Sequence, residues 1–353
     1  MSKLIYRNID SIDSDNYQLK KALITNPNAR SMDEVGQLLG EVDEKGTIGG
    51  SILLFPIKVM ANTHEYTATA GSTLSVDKKY RKSELGLTLP NCLTDISPSK
   101  FAIAAGISKI ALPIYIYLGY HIFKINRYIL PLKSKAILDG KIHRTLLPIA
   151  IAVGDFCLAI WRQLLRLLHY FAFQKMEIKQ LTEVPIEINE ISLKDNYRFA
   201  EIHNHEWFQW VLDNNFSKDA RSKQSFYTIE KDSKIIGFFM TKTRFHGQAS
   251  NRGFKNVYLG SVIEWGSSST IKLPKWKLSL ASLLSFGQSV DAIEFCTNDS
   301  EITSFLSKIG LRQIGQTNFA IKAEEESPLY PIEGLNDPNS WRIRPAFGDV
   351  GLS

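Results

Sequence analysis

The spacing of hydrophobic and polar positions divides the chain into strand-like and helix-like segments. In the first 140 residues, apolar runs rich in β-branched side chains predict strands over 3–9, 50–60, 67–76 and 100–104. Helices are predicted over 14–24, which has a Ser/Asp start, and over 107–118, where Pro113 must lie in the first turn or bend the helix. Gly119 then suits a helix end.

The same rhythm returns after residue 176. Helices are predicted over 195–213, 275–287 and 302–308, and strands over 225–230, 234–243, 256–265, 292–297 and 318–323. In both halves a helix, a glycine and a final strand follow one another, at Gly119 and at Gly310. This repetition predicts an internal duplication, and Trp341 is expected to anchor a C-terminal loop.

Residues 142–173 differ from both halves because they are almost continuously apolar, interrupted by Asp155 and then by Arg162, Arg166 and His169. The uninterrupted run is shorter than the roughly 20 residues of a spanning helix. We favour a buried helix pair that connects two domains. An interfacial helix on an anionic membrane is the alternative.

These patterns predict an α/β (α+β) protein with two domains, each a mixed and largely antiparallel twisted sheet flanked by helices. The predicted boundaries are 1–140 for the first domain, 141–175 for an apolar helical connector and 176–353 for the second domain. A chain of 353 residues fits two domains of ordinary size.

Composition and charge narrow the class of protein. The hydrophobic fraction of 44% and charged fraction of 22% are globular, and the three cysteines have neither metal nor disulfide spacing. With no apolar signal core at the N-terminus, we expect a cytoplasmic protein, with the inner face of the membrane as a second location. Residues 100–175 hold eleven Lys or Arg against two acids, which favours anionic partners, but no nucleic-acid motif is present.

Two short segments carry the candidate chemistry. The strand ending in Leu74, Ser75 and Val76 continues into a basic turn that contains Arg81, Lys82, Ser83, Glu84, Leu85 and Gly86. About thirty residues later, Tyr115 precedes the pair Gly119-Tyr120. Taken singly, these are also consistent with an ordinary strand, a solvated basic turn and core aromatic residues.

In this order and at this distance the segments resemble the acyl-CoA site of the GNAT (GCN5-related N-acetyltransferase) superfamily. The resemblance implies that the backbone at 74–76 pairs with pantetheine, that the turn 81–86 holds the pyrophosphate of acetyl-CoA, and that Tyr115 protonates the leaving thiolate. Glu84 replaces the first glycine of the family pattern, and Pro90 requires a helix that starts near Thr88.

The remaining polar candidates are weaker. His64 and Glu65 are expected in a hairpin turn, so no general base is assigned, and His203 and His205 cannot share a metal on a helix because they are two residues apart. The second half lacks the phosphate turn, and Leu306 stands where Tyr115 does in the first. It is therefore expected to be degenerate, with three tryptophans as core residues or stacking surfaces for an acceptor: Trp207, Trp210 and Trp265.

The resulting hypothesis is an acyl-CoA-dependent N-acyltransferase that transfers an acetyl group to an amine by direct attack on the thioester. Resemblance to tandem GNAT-like proteins implies a small-molecule or saccharide acceptor, such as an amino sugar or a precursor of bacterial surface polysaccharide. Two alternatives stay open: a catalytically inactive CoA-binding scaffold, and a peripheral membrane protein that uses residues 142–173. Homo-oligomerisation is also left open.

Overall fold

A computed structural model describes residues 3–8, 23–30, 34–138, 143, 145–193, 197–214, 216, 221–247, 256–271, 273–287 and 289–346. Contacts divide the chain into two compact units. The first unit contains Met1–Ile125, Asn196–Lys218 and Thr317–Ser353, and the second contains Asn126–Asp195 and Asp219–Gln316. The domain boundaries given above remain a prediction about sequence segments, and the helix predicted over 14–24 lies largely outside the described residues.

The strands, in chain order, are β1 Lys3–Asn8, β2 Gly36–Glu41, β3 Ile48–Ala61, β4 His64–Val76, β5 Phe101–Ala104, β6 His121–Pro131, β7 Glu177–Leu181, β8 Phe199–Glu201, β9 Lys223–Lys231, β10 Lys234–His246, β11 Val257–Ser267, β12 Ala292–Cys296, β13 Arg312–Ala323 and β14 Trp341–Arg342. The helices are α1 Leu85–Ile96, α2 Leu112–Tyr117, α3 Lys135–Leu138, α4 Leu147–Ala172, α5 Asn189–Ser192, α6 His205–Asp213, α7 Lys275–Ser285 and α8 Ser300–Lys308.

The sheet of the first unit runs in the order β1-β2-β3-β4-β5-β13. Its neighbours are antiparallel except β4 and β5, which are parallel. The four strands predicted for this region are confirmed, and β2 is an additional strand that the sequence patterns did not indicate. Helix α1 packs on β3 and β4 with Leu85, Leu89 and Leu93 buried, because residues four apart share one face of a helix.

The sheet of the second unit runs in the order β6-β12-β11-β10-β9-β7. Again one pair, β11 and β12, is parallel and the other pairs are antiparallel. Helices α7 and α8 cover this sheet, and their buried side chains form one cluster with those of β10, β11 and β12. The predicted hairpin, the strands over 256–265 and 292–297 and the helices over 275–287 and 302–308 are confirmed, and β7 is an additional strand.

The duplication predicted from sequence is visible in the backbone. Gly119 and Gly310 both end helices with left-handed φ angles of +80° and +91°. After each glycine, the next backbone N–H donates to the carbonyl oxygen five residues earlier. Tyr120 donates to Tyr115 at 3.0 Å, and Leu311 donates to Leu306 at 2.9 Å. Each sheet also takes its last strand from the other half of the chain: β13 pairs with β5, and β6 pairs with β12.

Two predictions about the linking segments are wrong. The helix predicted over 195–213 starts too early: strand β8 comes first, and helix α6 begins at His205, where Asn204 caps the helix start by accepting a hydrogen bond from the N–H of Trp207 at 3.0 Å. The connector is one 26-residue helix, α4, rather than a buried helix pair. Its side chains are mostly exposed, and Leu165 is its buried residue.

Candidate active site

Strand β4 carries a β-bulge shortly before its end. Ser72 pairs with Leu53 and Ser75 pairs with Ser51, so Thr73 and Leu74 together oppose one residue of β3. Thr73 has a φ of +50°, which is unusual for a β-branched residue. Such strain costs about 1–3 kcal/mol and concentrates at functional sites. A bulge also turns backbone amide groups out of the regular ladder.

The far edge of β4 is open beyond the bulge. The parallel ladder to β5 covers residues 69–71 of β4 and stops where Gly71 pairs with Ala104. Within the described part of the chain, Leu74, Ser75 and Val76 belong to a strand segment paired only with β3. Ser75 is exposed, whereas the side chains of Leu74 and Val76 pack against the core of the first unit. This segment therefore offers extended backbone along one edge.

The chain then forms an exposed basic turn. A single 3-10 turn, Lys78–Tyr80, follows Asp77, whose carboxylate accepts a hydrogen bond from the N–H of Lys79 at 3.1 Å. The next four side chains, Arg81, Lys82, Ser83 and Glu84, are all exposed. Arg81 is held close to the strand end, because its Nε donates to the carbonyl oxygen of Val76 at 3.4 Å.

Helix α1 begins directly after this turn, at Leu85 and not near Thr88 as predicted. Pro90 lies inside the helix and removes the N–H that would reach the carbonyl oxygen of Gly86. Glu84 precedes the helix with φ −65°, so this position does not need the positive φ that a glycine would supply. Its carboxylate makes no capping hydrogen bond.

The helix start has the features of an anion site. Across the described residues, no hydrogen bond is donated by the backbone N–H groups of Lys82, Glu84 and Gly86. The nearest atom that a side chain at Gly86 would meet is Ile114 Cδ1, at 3.5 Å, so Gly86 is not required by close packing there. Free N–H groups at a helix N-terminus attract anions, and residues 77–84 contain two more cations than carboxylates.

Tyr115 is 3% exposed and lies in the core cluster that also contains Ile52, which faces the bulge, and Ala104, where the β5 ladder ends. Its ring contacts Tyr120 edge-on, with centroids 5.0 Å apart. The hydroxyl of Tyr120 donates to the carbonyl oxygen of Pro90 at 2.7 Å. Burial is the main cause that raises the pKa of Tyr120 well above 10, and the nearby Tyr115 is the next. The phenol of Tyr120 therefore stays protonated.

The other polar residues weighed from sequence lie elsewhere. His64 and Glu65 begin β4 beside the Asn62-Thr63 turn, and Glu65 pairs with Lys58 at 3.0 Å. Eight or more residues of extended strand separate them from the bulge, or about 25 Å. His203 precedes α6, is buried and stacks on Trp207 with centroids 3.7 Å apart. Among the described residues, no group of histidine, cysteine or carboxylate side chains could hold a metal.

The second unit repeats the strand geometry without the anion site. Strand β11 has its own register shift, because Met240 pairs with Glu264 while Thr241 pairs with Val262. The N-terminus of the following helix, α7, is already covered by an acid: Glu301 Oε1 accepts from the N–H of Trp276 at 3.2 Å. A bound anion there would meet this carboxylate.

The three tryptophans considered as stacking surfaces are all buried. Trp207 and Trp210 lie in α6, which belongs to the first unit, and Trp265 packs against Phe295 in the second unit with centroids 5.0 Å apart. Their observed role is core packing. The sequence did not indicate the bulge or the contact of Glu301, because both depend on pairing between residues distant along the chain.

Known proteins resemble this chain in fold. No family model matches the chain, and no curated protein matches it. Among solved structures, Saccharomyces cerevisiae N-myristoyltransferase with bound myristoyl-CoA is similar at a TM-score of 0.58 and 14% identity, covering 92% of this chain and 79% of that one.

Two further solved structures are also similar to this chain in fold. A probable N-acyltransferase from Enterococcus faecalis V583 has a TM-score of 0.52 at 10% identity, covering 92% of this chain and 73% of its own. A tandem GNAT protein from the clavulanic acid biosynthesis pathway has a TM-score of 0.50 at 10% identity, covering 91% and 98%. The chain therefore has the fold of the GNAT superfamily.

Proposed function

We propose that this chain is an acyl-CoA-dependent N-acyltransferase whose donor site is the segment 72–86 of the first unit. The observation that carries the proposal is the continuous arrangement of a bulged strand, an open strand edge and an exposed basic helix start. Fold neighbours that bind myristoyl-CoA support a CoA-thioester donor. We propose acetyl-CoA as the donor and a primary amine as the acceptor.

In this proposal the donor lies along the free edge of β4. The amide groups of pantetheine pair with the backbone of 74–76, and the pyrophosphate is held by the N–H groups at the start of α1 with help from Arg81 and Lys82. Glu84 weakens this binding because its charge has the same sign as the pyrophosphate. Solvent exposure of Glu84 screens part of that repulsion.

The transfer itself needs two things from the protein: a hydrogen-bond donor for the oxyanion and a proton for the leaving sulfur. The amine nitrogen attacks the thioester carbonyl, a C–N bond forms, and the C–S bond breaks with its electron pair passing to sulfur. An N–H group turned outward by the bulge at Thr73 and Leu74 stabilises the oxyanion. The phenol of Tyr115 gives its proton to the thiolate, and the proton of the attacking amine passes to water.

Binding of the donor can be tested by calorimetry with acetyl-CoA. Arg81→Glu should weaken binding at least about tenfold, because a charge-assisted contact is replaced by repulsion. Arg312→Glu is the matched control, since Arg312 is also exposed but lies in the second unit. If neither acetyl-CoA nor a long-chain acyl-CoA binds the unmodified chain, the proposal fails.

An inactive CoA-binding scaffold is the second candidate, and two observations favour it: Glu84 in the phosphate turn and the burial of Tyr115. Tyr115→Phe separates the two candidates. In an enzyme this change should leave the dissociation constant of acetyl-CoA unchanged and lower kcat about 100-fold. Binding without release of free thiol, tested with amino sugars and other primary amines, would support the scaffold instead.

An amino-sugar or surface-polysaccharide acceptor is the finer part of the proposal, and it rests on family resemblance. It can be examined independently of donor binding, by following free CoA thiol in the presence of glucosamine-type amines and of N-terminal peptide amines. Faster thiol release with peptides than with amino sugars would reject the saccharide acceptor and leave the N-acyltransferase proposal intact.

A further inference from the structure

Helix α4 presents a continuous apolar face to solvent. Seven of its side chains, each 49–66% exposed, are spaced three or four residues apart and so lie along one face of the helix. We refer to them as the outer stripe: Ile149, Val153, Phe156, Ile160, Leu164, Leu167 and Phe171. At 1.5 Å per residue the helix is about 39 Å long. Its most apolar 18-residue window contains no buried residue.

The outer stripe cannot turn inward, because other positions of the helix are attached to the second unit. The carboxylate of Asp155 accepts from the N–H of Ser134 at 2.7 Å. The guanidinium of Arg162 donates to the carbonyl oxygen of Leu132 at 2.9 Å. The indole N–H of Trp161 donates to the carbonyl oxygen of Ile309 at 3.0 Å. These contacts fix the rotation of the helix about its axis with the stripe facing outward.

The helix is long and apolar enough to cross a membrane, but the chain connectivity argues against a crossing. Strand β6 before the helix and strand β7 after it belong to the same sheet of the second unit. A single crossing would place these two strands on opposite sides of the bilayer. The helix can therefore meet lipid only while lying along a surface, with its stripe in the interface.

Charge distinguishes a lipid surface from a second copy of the chain. Residues 126–175, which belong to the second unit, hold eight Lys or Arg against two acids, and Lys135, Arg166 and Lys175 are exposed close to or on the helix. Pairing two copies through the stripe would bring like charges together, whereas an anionic lipid surface would neutralise them. We propose that α4 seats the second unit on an anionic lipid surface by inserting the outer stripe into the headgroup–acyl boundary.

Co-flotation of the full chain with vesicles tests this proposal. One set of vesicles is phosphatidylcholine, and the other is an equimolar mixture of phosphatidylcholine and phosphatidylglycerol. The chain should float with the anionic vesicles, float less with the neutral ones, and lose anionic binding as salt is raised. A chain that stays at the bottom of the gradient with both vesicles overturns the proposal.

The double variant Phe156→Gln with Leu164→Gln removes two members of the stripe. It should lower the partition coefficient at least about tenfold, because burial of each of these side chains contributes apolar area. The matched control is Ala152→Gln with Ala159→Gln, which changes exposed positions of the same helix outside the stripe. Circular dichroism should show unchanged helix content in both variants, since all four positions are exposed.

Equal losses in the two double variants would overturn the proposal, because the stripe would then have no special role. Sedimentation in lipid-free buffer tests whether a second copy of the chain binds the outer stripe instead of lipid. A chain that is dimeric, becomes monomeric in the Phe156/Leu164 variant and does not float would assign the stripe to a second copy of the chain. Monomeric protein that floats with anionic vesicles supports the lipid surface.

Discussion

Tyr120 follows helix α2 and connects its end to helix α1. Removing the Tyr120 hydroxyl should therefore lower the free energy of unfolding of the first unit. The hydroxyl is buried and donates to the carbonyl oxygen of Pro90 at 2.7 Å. Phenylalanine keeps the ring and its packing but leaves that contact unmade. The net loss for one buried hydrogen bond is about 1–2 kcal/mol.

Urea unfolding of Tyr120→Phe measures this loss as a lower transition midpoint at an unchanged slope. Tyr117→Phe is the matched control, because Tyr117 is 79% exposed in the neighbouring helix and its change should stay within about 0.5 kcal/mol. Equal free energies of unfolding for the two variants would refute the argument that this hydrogen bond joins α2 to α1.

The same residue predicts how stability depends on pH. Burial raises the pKa of Tyr120 well above 10, so the folded chain holds the phenolic proton more tightly than the unfolded chain does. The resulting stabilisation is fully present below pH about 10 and is lost as pH rises through the folded pKa. Tyr120→Phe should therefore flatten the alkaline fall in stability. An unchanged alkaline limb would contradict this assignment.

Three further predictions address the basic turn, the duplicated helix ends and His169 of helix α4. Glu84→Gln should tighten acetyl-CoA binding a few-fold in calorimetry by removing like charge from the turn, whereas Glu44→Gln, exposed outside the turn, should not. Gly119→Ala and Gly310→Ala should each lower the free energy of unfolding in urea by about 1 kcal/mol, because both positions have a positive φ. A methyl group at either position would meet no atom within 4 Å. A loss of stability at one site alone would count against the repeat. Burial lowers the pKa of His169, so the stability that depends on its neutral form is lost as pH falls below about 6.5. His169→Gln should therefore make the fall in the free energy of unfolding at acid pH shallower. An equally steep fall in the variant would contradict this prediction.

Local sequence patterns were sufficient for the parts of this fold that depend on near neighbours. Apolar runs located β3, β4 and β5, and the glycines at 119 and 310 marked two helix ends, because strand propensity and positive φ are properties of short segments. The order of a strand, a basic turn and a helix over residues 64–96 was also predictable. These features were enough to predict the superfamily fold.

Predictions failed where distant contacts outweigh local preference. Pro90 argued for a late helix start, yet α1 begins at Leu85 because Leu85, Leu89 and Leu93 gain burial on the sheet. The apolar content of 142–173 suggested a buried pair of helices. Composition cannot say which face of a helix meets protein, and in the structure the polar contacts of Asp155 and Arg162 turn the stripe outward.

The sequence by itself determined which residue types stand in the candidate site, including Arg81, Lys82 and the departure at Glu84. Only the tertiary structure decided that β4 bulges at Thr73 and loses its β5 partner after Gly71, and that Glu301 covers the equivalent helix start in the second unit. The physical reason is that strand register and side chain to backbone contacts join residues far apart along the chain, so no local pattern encodes them.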